Sequence, residues 1–189
     1  MHAFEDNDIK IFSGSKIENE ADVLIRIVEI MKKQRANGNM ERAKDLGVTI
    51  ARQIYSPENI SPSVAEAIEP FKSNEEIYEQ IKMLVTFAAE AQIHLTLDKY
   101  SVSTMAVNSL YDELIKLDND LYDNITNAFT FYYLELRKGG DVSLLLGKRF
   151  AKLCGDGENE SLVNLGAEIF SSISSIIKEE IEAIDFIND

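Results

Sequence analysis

The chain has 189 residues, 45% hydrophobic and 28% charged, an ordinary globular composition long enough for one well-filled core or two small ones. Its net charge of −14 counts against nucleic-acid phosphates and anionic membranes, which would repel it; a basic partner stays open, although an acidic surface also serves solubility alone. Cys154, the single cysteine, excludes an intramolecular disulfide; MHAFEDND lacks a signal-peptide apolar region, and no apolar run nears the ~18 residues of a membrane span, so a cytoplasmic protein is expected.

Residues 1–14 carry no helical period and are expected to be irregular. Ser15-x-x-Glu18 reads as a capping box for a first helix, with Ile17, Ala21, Leu24, Val28 and Met31 on one face. Ile25, Ile27 and Ile30 widen that face, which predicts contact from more than one side. Asn37-Gly38 suits a left-handed stop, and Asn39 reads as the cap of a second helix over about Met40 to Tyr55. The short connection predicts an antiparallel hairpin.

All three prolines, Pro57, Pro62 and Pro70, fall in the next stretch. Ser56-Pro57 and Ser61-Pro62 each read as a cap followed by proline at the first helical position, with a short helix near Ser63 to Glu69. This gathering makes 57–70 the candidate boundary between an N-terminal hairpin with connector (15–72) and a C-terminal bundle (73–189), unless 15–189 is one continuous domain.

A central helix is predicted over Glu75 to Asp98, opened by the capping box Ser73-x-x-Glu76. Ile77, Ile81, Leu84, Ala88, Ala91 and Leu95 follow at helical spacing on one face. Thr86, Glu90, His94 and Asp98 form a polar row at steps of four, with Met83, Phe87, Ile93 and Leu97 falling among them. A helix apolar on nearly all sides belongs in an interior, so Glu90 and His94 are expected to be partly sheltered and within reach of each other. The plain reading is a structural i,i+4 pair.

The sharper reading is a ligand pocket at Glu90, His94, Phe87 and Asp98, or a metal held by Glu90 and His94 with carboxylates of another helix. Against a metal, the only other histidine is His2, and the paired Glu-x-x-His motifs of ferritin-type di-iron bundles are missing. No metal or other cofactor is therefore assigned. A phosphotransfer histidine is a poorer fit still, for lack of a small-residue and Lys-Gly context after His94.

Helix five starts at Tyr100-Ser101, with Val107, Leu110, Leu114 and Leu117 on its face. Asp118-Asn119-Asp120 opens helix six, which carries Leu121, Ile125, Ala128 and Tyr132 and ends at Gly139-Gly140. Asp112, Glu113, Asp118, Asp120 and Asp123 resemble a calcium loop in composition only: the register and glycine of an EF-hand are missing, and helix-start carboxylates favoured by the dipole explain them better. Phe129, Phe131, Tyr132 and Tyr133 cannot all face one core, so one or two are expected at the surface. That suits an interface, although core packing with an ordinary exposed tyrosine is the commoner case.

Helix seven is predicted over Asp141 to Cys154, with Cys154 read as a small buried thiol rather than a nucleophile. Helix eight runs from about Glu160 to Ile187, with Leu162, Leu165, Ile169, Ile173, Ile176 and Ile184 facing inward.

Leu46-Gly47-x-x-Ile50, Leu146-Gly147-x-x-Phe150 and Leu165-Gly166-x-x-Ile169 share a pattern in which glycine admits a second helix closely. These pieces resemble the first helix of tetratricopeptide repeats, Leu146 to Asp156 most nearly. Their spacings of 100 and 19 residues depart from the ~34 of that family, so the resemblance implies helical-hairpin packing and not membership.

An all-α fold of about eight helices follows, as antiparallel hairpins in an irregular bundle or a short stack like that of those repeats. With no phosphate loop, activated nucleophile or metal spacing, the favoured function is a non-enzymatic interaction or regulatory module for a protein or peptide, an adaptor of bacterial style. Its expected surface centres on Asp112, Asp120, Phe131 and Tyr133. The rival is a helical small-molecule or metal-binding protein or enzyme with its pocket around Glu90 and His94. A homodimer through helices one and eight is compatible with either.

Overall fold

A computed structural model of the chain describes residues 20–187. Segment 1–14, His2 and the expected capping box at Ser15 to Glu18 lie outside them. Within them the fold is all-α: α1 (Glu20–Ala36), α2 (Asn39–Ile54), α3 (Pro62–Ile68), α4 (Glu75–Thr96), α5 (Tyr100–Leu117), α6 (Asn119–Leu136), α7 (Val142–Leu153) and α8 (Glu160–Glu182). One-turn 3₁₀ segments at Pro57–Asn59 and Glu69–Phe71 flank α3.

Side-chain caps set most of these starts. Ser61 accepts from the Val64 amide, Asp118 from Leu121 at 2.9 Å, Asp141 from Leu144 at 3.0 Å and Asn159 from both Ser161 and Leu162, each satisfying amides that the first turn leaves unpaired. Two expected caps are displaced by one residue. Asn74, not Ser73, caps α4, its side-chain oxygen accepting from the Ile77 amide at 3.2 Å. Gly38, at φ 81°, precedes α2, and Asn39 is drawn into the helix. There its amide donates to the Gln34 side chain at 2.7 Å and exchanges two 2.9 Å hydrogen bonds with the backbone of Ile187.

Around α4 the rest of the chain assembles. From Ile81 to Ala89 every α4 residue except Lys82 is buried, and the helix touches α2, α5, α6, α7 and α8. Two outer pairs, α2 with α5 and α7 with α8, complete the core through glycine seams. An added Cβ at Gly47 would stand 2.1 Å from the Ala106 carbonyl oxygen, and one at Gly147 would stand 2.2 Å from that of Val163. Gly166 approaches from the other side of the second seam, against Phe150 and the Gly147 Cα. One cluster of buried side chains extends from Met40 to Ile181, and the proline-bearing stretch contributes Val64 and Ile68 to it.

α1 departs from expectation. Its sequence predicts contact on several sides, yet Asp22 to Ile30 are all exposed, and α1 meets α2 only weakly beyond the turn. The partner of α2 along its length is α5, whose small Ala106 faces Gly47. α8 also ends earlier than its apolar pattern suggests; residues 183–187 turn back toward Asn39, and Ile177 and Ile181 take the core positions expected of Ile176 and Ile184.

Glu135 is buried, and Arg149 of α7 and Lys138 at 2.5 Å bind its carboxylate. The hydrogen bond from Lys138 holds its pKa below the usual carboxylate range, assisted by Arg149 and opposed by burial. A depressed folded-state pKa stabilises the fold above the unfolded value, near ~4.3, and that stabilisation is lost as pH falls through the folded one. Urea midpoints of the native protein should therefore fall with acidification below about pH 5. Glu135→Gln should start less stable at neutral pH and show a shallower acid slope; equal slopes would remove Glu135 from the account.

Candidate functional site

Glu90 lies where α4 begins to emerge from the core, between α5 and α6. Both of its carboxylate oxygens accept from phenols. The Tyr111 hydroxyl of α5 donates to Oε2, and the Tyr133 hydroxyl of α6 donates to Oε1 at 2.5 Å. Among the described residues no lysine or arginine forms a salt bridge with Glu90. The two phenols titrate well above their usual range, first because they are buried and then because the Glu90 charge disfavours a second anion. At neutral pH they are fixed donors and not bases.

These groups line a shallow recess of about 320 Å³ together with Tyr122, Ile125, Phe129 and Thr130. The Tyr122 ring meets that of Tyr111 edge-on at 5.6 Å. Behind the recess, Phe87 is fully buried and packs edge-on against Phe129 at 5.2 Å and Tyr133 at 5.1 Å. Tyr132 and Phe170 close the far side of that aromatic core.

Of the residues singled out in the sequence, the fold brings Glu90, Phe87 and Tyr133 together. It leaves the others elsewhere. His94, one turn beyond Glu90, is exposed and makes no hydrogen bond to it, because the two phenols occupy the carboxylate and His94 lies on the open face of the helix, beside Leu95 at 70% exposed, while the preceding Ile93 is buried. The i,i+4 pair expected from spacing is thus replaced by two long-range phenol contacts. Asp98 lines a separate hollow of about 450 Å³ beside Lys99, Val102 and the 181–187 segment. Asp112 and Asp120 are exposed. Phe131, two residues and about 200° round the helix from Tyr133, is 41% exposed and lies against the Arg149 guanidinium at 5.3 Å.

Tyr111 and Tyr122 escape the sequence reading. Tyr111 sits one position from the apolar face of α5, and no local spacing ties either residue to Glu90. An aromatic one position off a core face is the only local signal. Cys154 is partly buried, and burial pushes its thiol up to about 12, which keeps it inert at neutral pH. Among the described residues no cluster of three histidine, cysteine or acidic side chains is placed to hold a metal, and no helix is long and apolar enough to cross a membrane.

Fold and site together define an all-helical bundle with a phenol-held carboxylate lining an aromatic recess. No protein-family model, curated protein or solved structure matches the chain.

Proposed function

We propose that this protein is a non-enzymatic interaction module and that the recess receives a cationic side chain of a basic protein or peptide. The observation that carries this reading is the carboxylate of Glu90, partly buried among aromatic rings, held by uncharged donors and given no cation of its own. An ammonium or guanidinium entering there meets a negative charge with lone pairs still open, and ring faces that attract cations. The net charge of −14 favours approach of such a partner over long range. Acid–base catalysis is less well served, since both phenols are locked in their protonated form.

The test is isothermal titration of the protein with short peptides that differ only in a central lysine, trimethyllysine, arginine or norleucine. Binding of the cationic peptides, absent for norleucine and weakened about tenfold (~1.4 kcal/mol) by Glu90→Gln, is expected. Equal heats for norleucine and lysine would overturn the assignment. The second reading, a small organic cation in the same recess, is favoured by its modest volume of about 320 Å³ and would appear as binding of free tetramethylammonium comparable with that of the peptide.

A further inference from the structure

α1 exposes a broad apolar surface beside a single polar row. Leu24 is 62% exposed and Ile25 57%, with Val23, Ile27, Val28 and Ile30 also open to solvent. At 100° per residue, Asp22, Arg26, Glu29 and Lys33 gather in one narrow stripe and the apolar residues occupy most of the remaining circumference. A monomer gains nothing from holding such a helix in water, and a contiguous patch of this kind marks an interaction surface.

The charges on α1 say what covers it. The helix carries four basic and three acidic residues inside a chain of net charge −14, so it is close to neutral where the rest of the molecule is strongly negative. Its charges are also sorted along the axis, with Asp22 in the first turn and Lys32, Lys33 and Arg35 at the end. Parallel pairing of two such helices would set like charges side by side. Antiparallel pairing sets an acidic first turn against a basic last turn at both ends at once, and it aligns the backbone dipoles favourably.

We infer that two copies of this chain associate through α1, packed antiparallel about a two-fold axis beside Ile27 and Val28. An isologous contact of this kind is self-complementary by symmetry. In this register Leu24 of one copy opposes Met31 of the other, and the two 17-residue helices overlap along their length. The near-neutral helix also holds the acidic bodies apart, which lowers the repulsion that two faces of net negative charge would meet elsewhere. This inference is independent of the recess, which lies on α4, α5 and α6.

Sedimentation equilibrium of the full chain should give twice the chain mass at micromolar concentration. Leu24→Glu with Val28→Glu should return it to the monomer mass with helical circular dichroism retained, because both residues are exposed and no core contact is removed. A native protein that stays monomeric, or a dimer unaffected by the two glutamates, would overturn the inference. Orientation is read by oxidative cross-linking in a Cys154→Ser background. Val28→Cys should form an intermolecular disulfide with itself. Leu24→Cys alone should not, since its two copies stand about 10 Å apart along the pair, beyond disulfide reach; mixed with Met31→Cys it should. Self-linking of Leu24→Cys would establish the parallel arrangement and overturn the antiparallel one.

Discussion

Gly47→Ala is expected to destabilise the protein by about 3 kcal/mol or more, although alanine is intrinsically the better helix former by ~1 kcal/mol. The sign is decided by what the new methyl meets. Its Cβ would stand 2.1 Å from the Ala106 carbonyl oxygen, 2.8 Å from the Leu110 amide nitrogen and 3.0 Å from the Ala106 carbonyl carbon. All three are main-chain atoms of α5, so no rotamer change relieves the overlap and the helices must separate. Separation opens the packing of Leu46, Ile50 and Leu110 on both sides of the contact, which adds a cavity cost to the steric one. Gly147→Ala should behave alike, with Val163 and Ala167 of α8 in the facing roles. Urea denaturation read by far-ultraviolet circular dichroism gives the answer. A midpoint equal to or above that of the native protein would mean the seam is looser than 2.1 Å implies.

Phe87→Ala is expected to cost about 4 kcal/mol, near the upper part of the range for a buried ring. Phe87 is fully buried, and four aromatic rings meet it, with centroids between 5.0 and 6.4 Å away. Removing it leaves a void that Phe129, Tyr132, Tyr133 and Phe170 cannot all close, because each is anchored on a different position of α6 or α8. The loss also reaches the recess. Tyr133 rests edge-on against Phe87 while its hydroxyl holds Glu90, so peptide binding should weaken although Phe87 does not itself line the recess. Phe87→Leu, which keeps most of the volume, should recover much of the stability and less of the binding. If Phe87→Ala lost stability but bound the lysine peptide as the native protein does, the recess would not depend on the packing behind it.

Helix positions are legible in the sequence because their signals are local. The 3.6-residue spacing of Ala43, Leu46, Ile50 and Ile54 marks the buried face of α2, and all four are buried. Asp118, Asp141 and Gly38 mark ends through side-chain oxygens or a left-handed turn within a few residues of the break. The close-approach role of Gly47, Gly147 and Gly166 is likewise visible, since glycine inside a strong helical period asks for a reason. Which helix makes each approach is not. α2 meets α5 across the whole proline-bearing connector and α4, and no pattern within either helix names the other.

The recess shows the same division. Glu90, Phe87 and Tyr133 stand out by their type and burial pattern, but the carboxylate's partners come from positions 111 and 133, far beyond the reach of helical periodicity. His94 misleads because spacing alone puts it beside Glu90 while tertiary contacts decide which neighbour wins. α1 misleads for another reason: amphipathic breadth reports that a helix has more surface to cover than its own chain supplies, without reporting whose surface does the covering.

The Asn39 amide joins Gln34 at the foot of α1 to the main chain of Ile187, so residues far apart in sequence meet at one fulcrum. Seen mechanically, α1 is a lever of about 25 Å whose bearing is bolted to the tail of the last helix. A load applied at Ile187 is transmitted to the root of that lever through two short bonds and no intervening loop. A pull at Ile187 would change the angle at which α1 projects, with no part of the core between them.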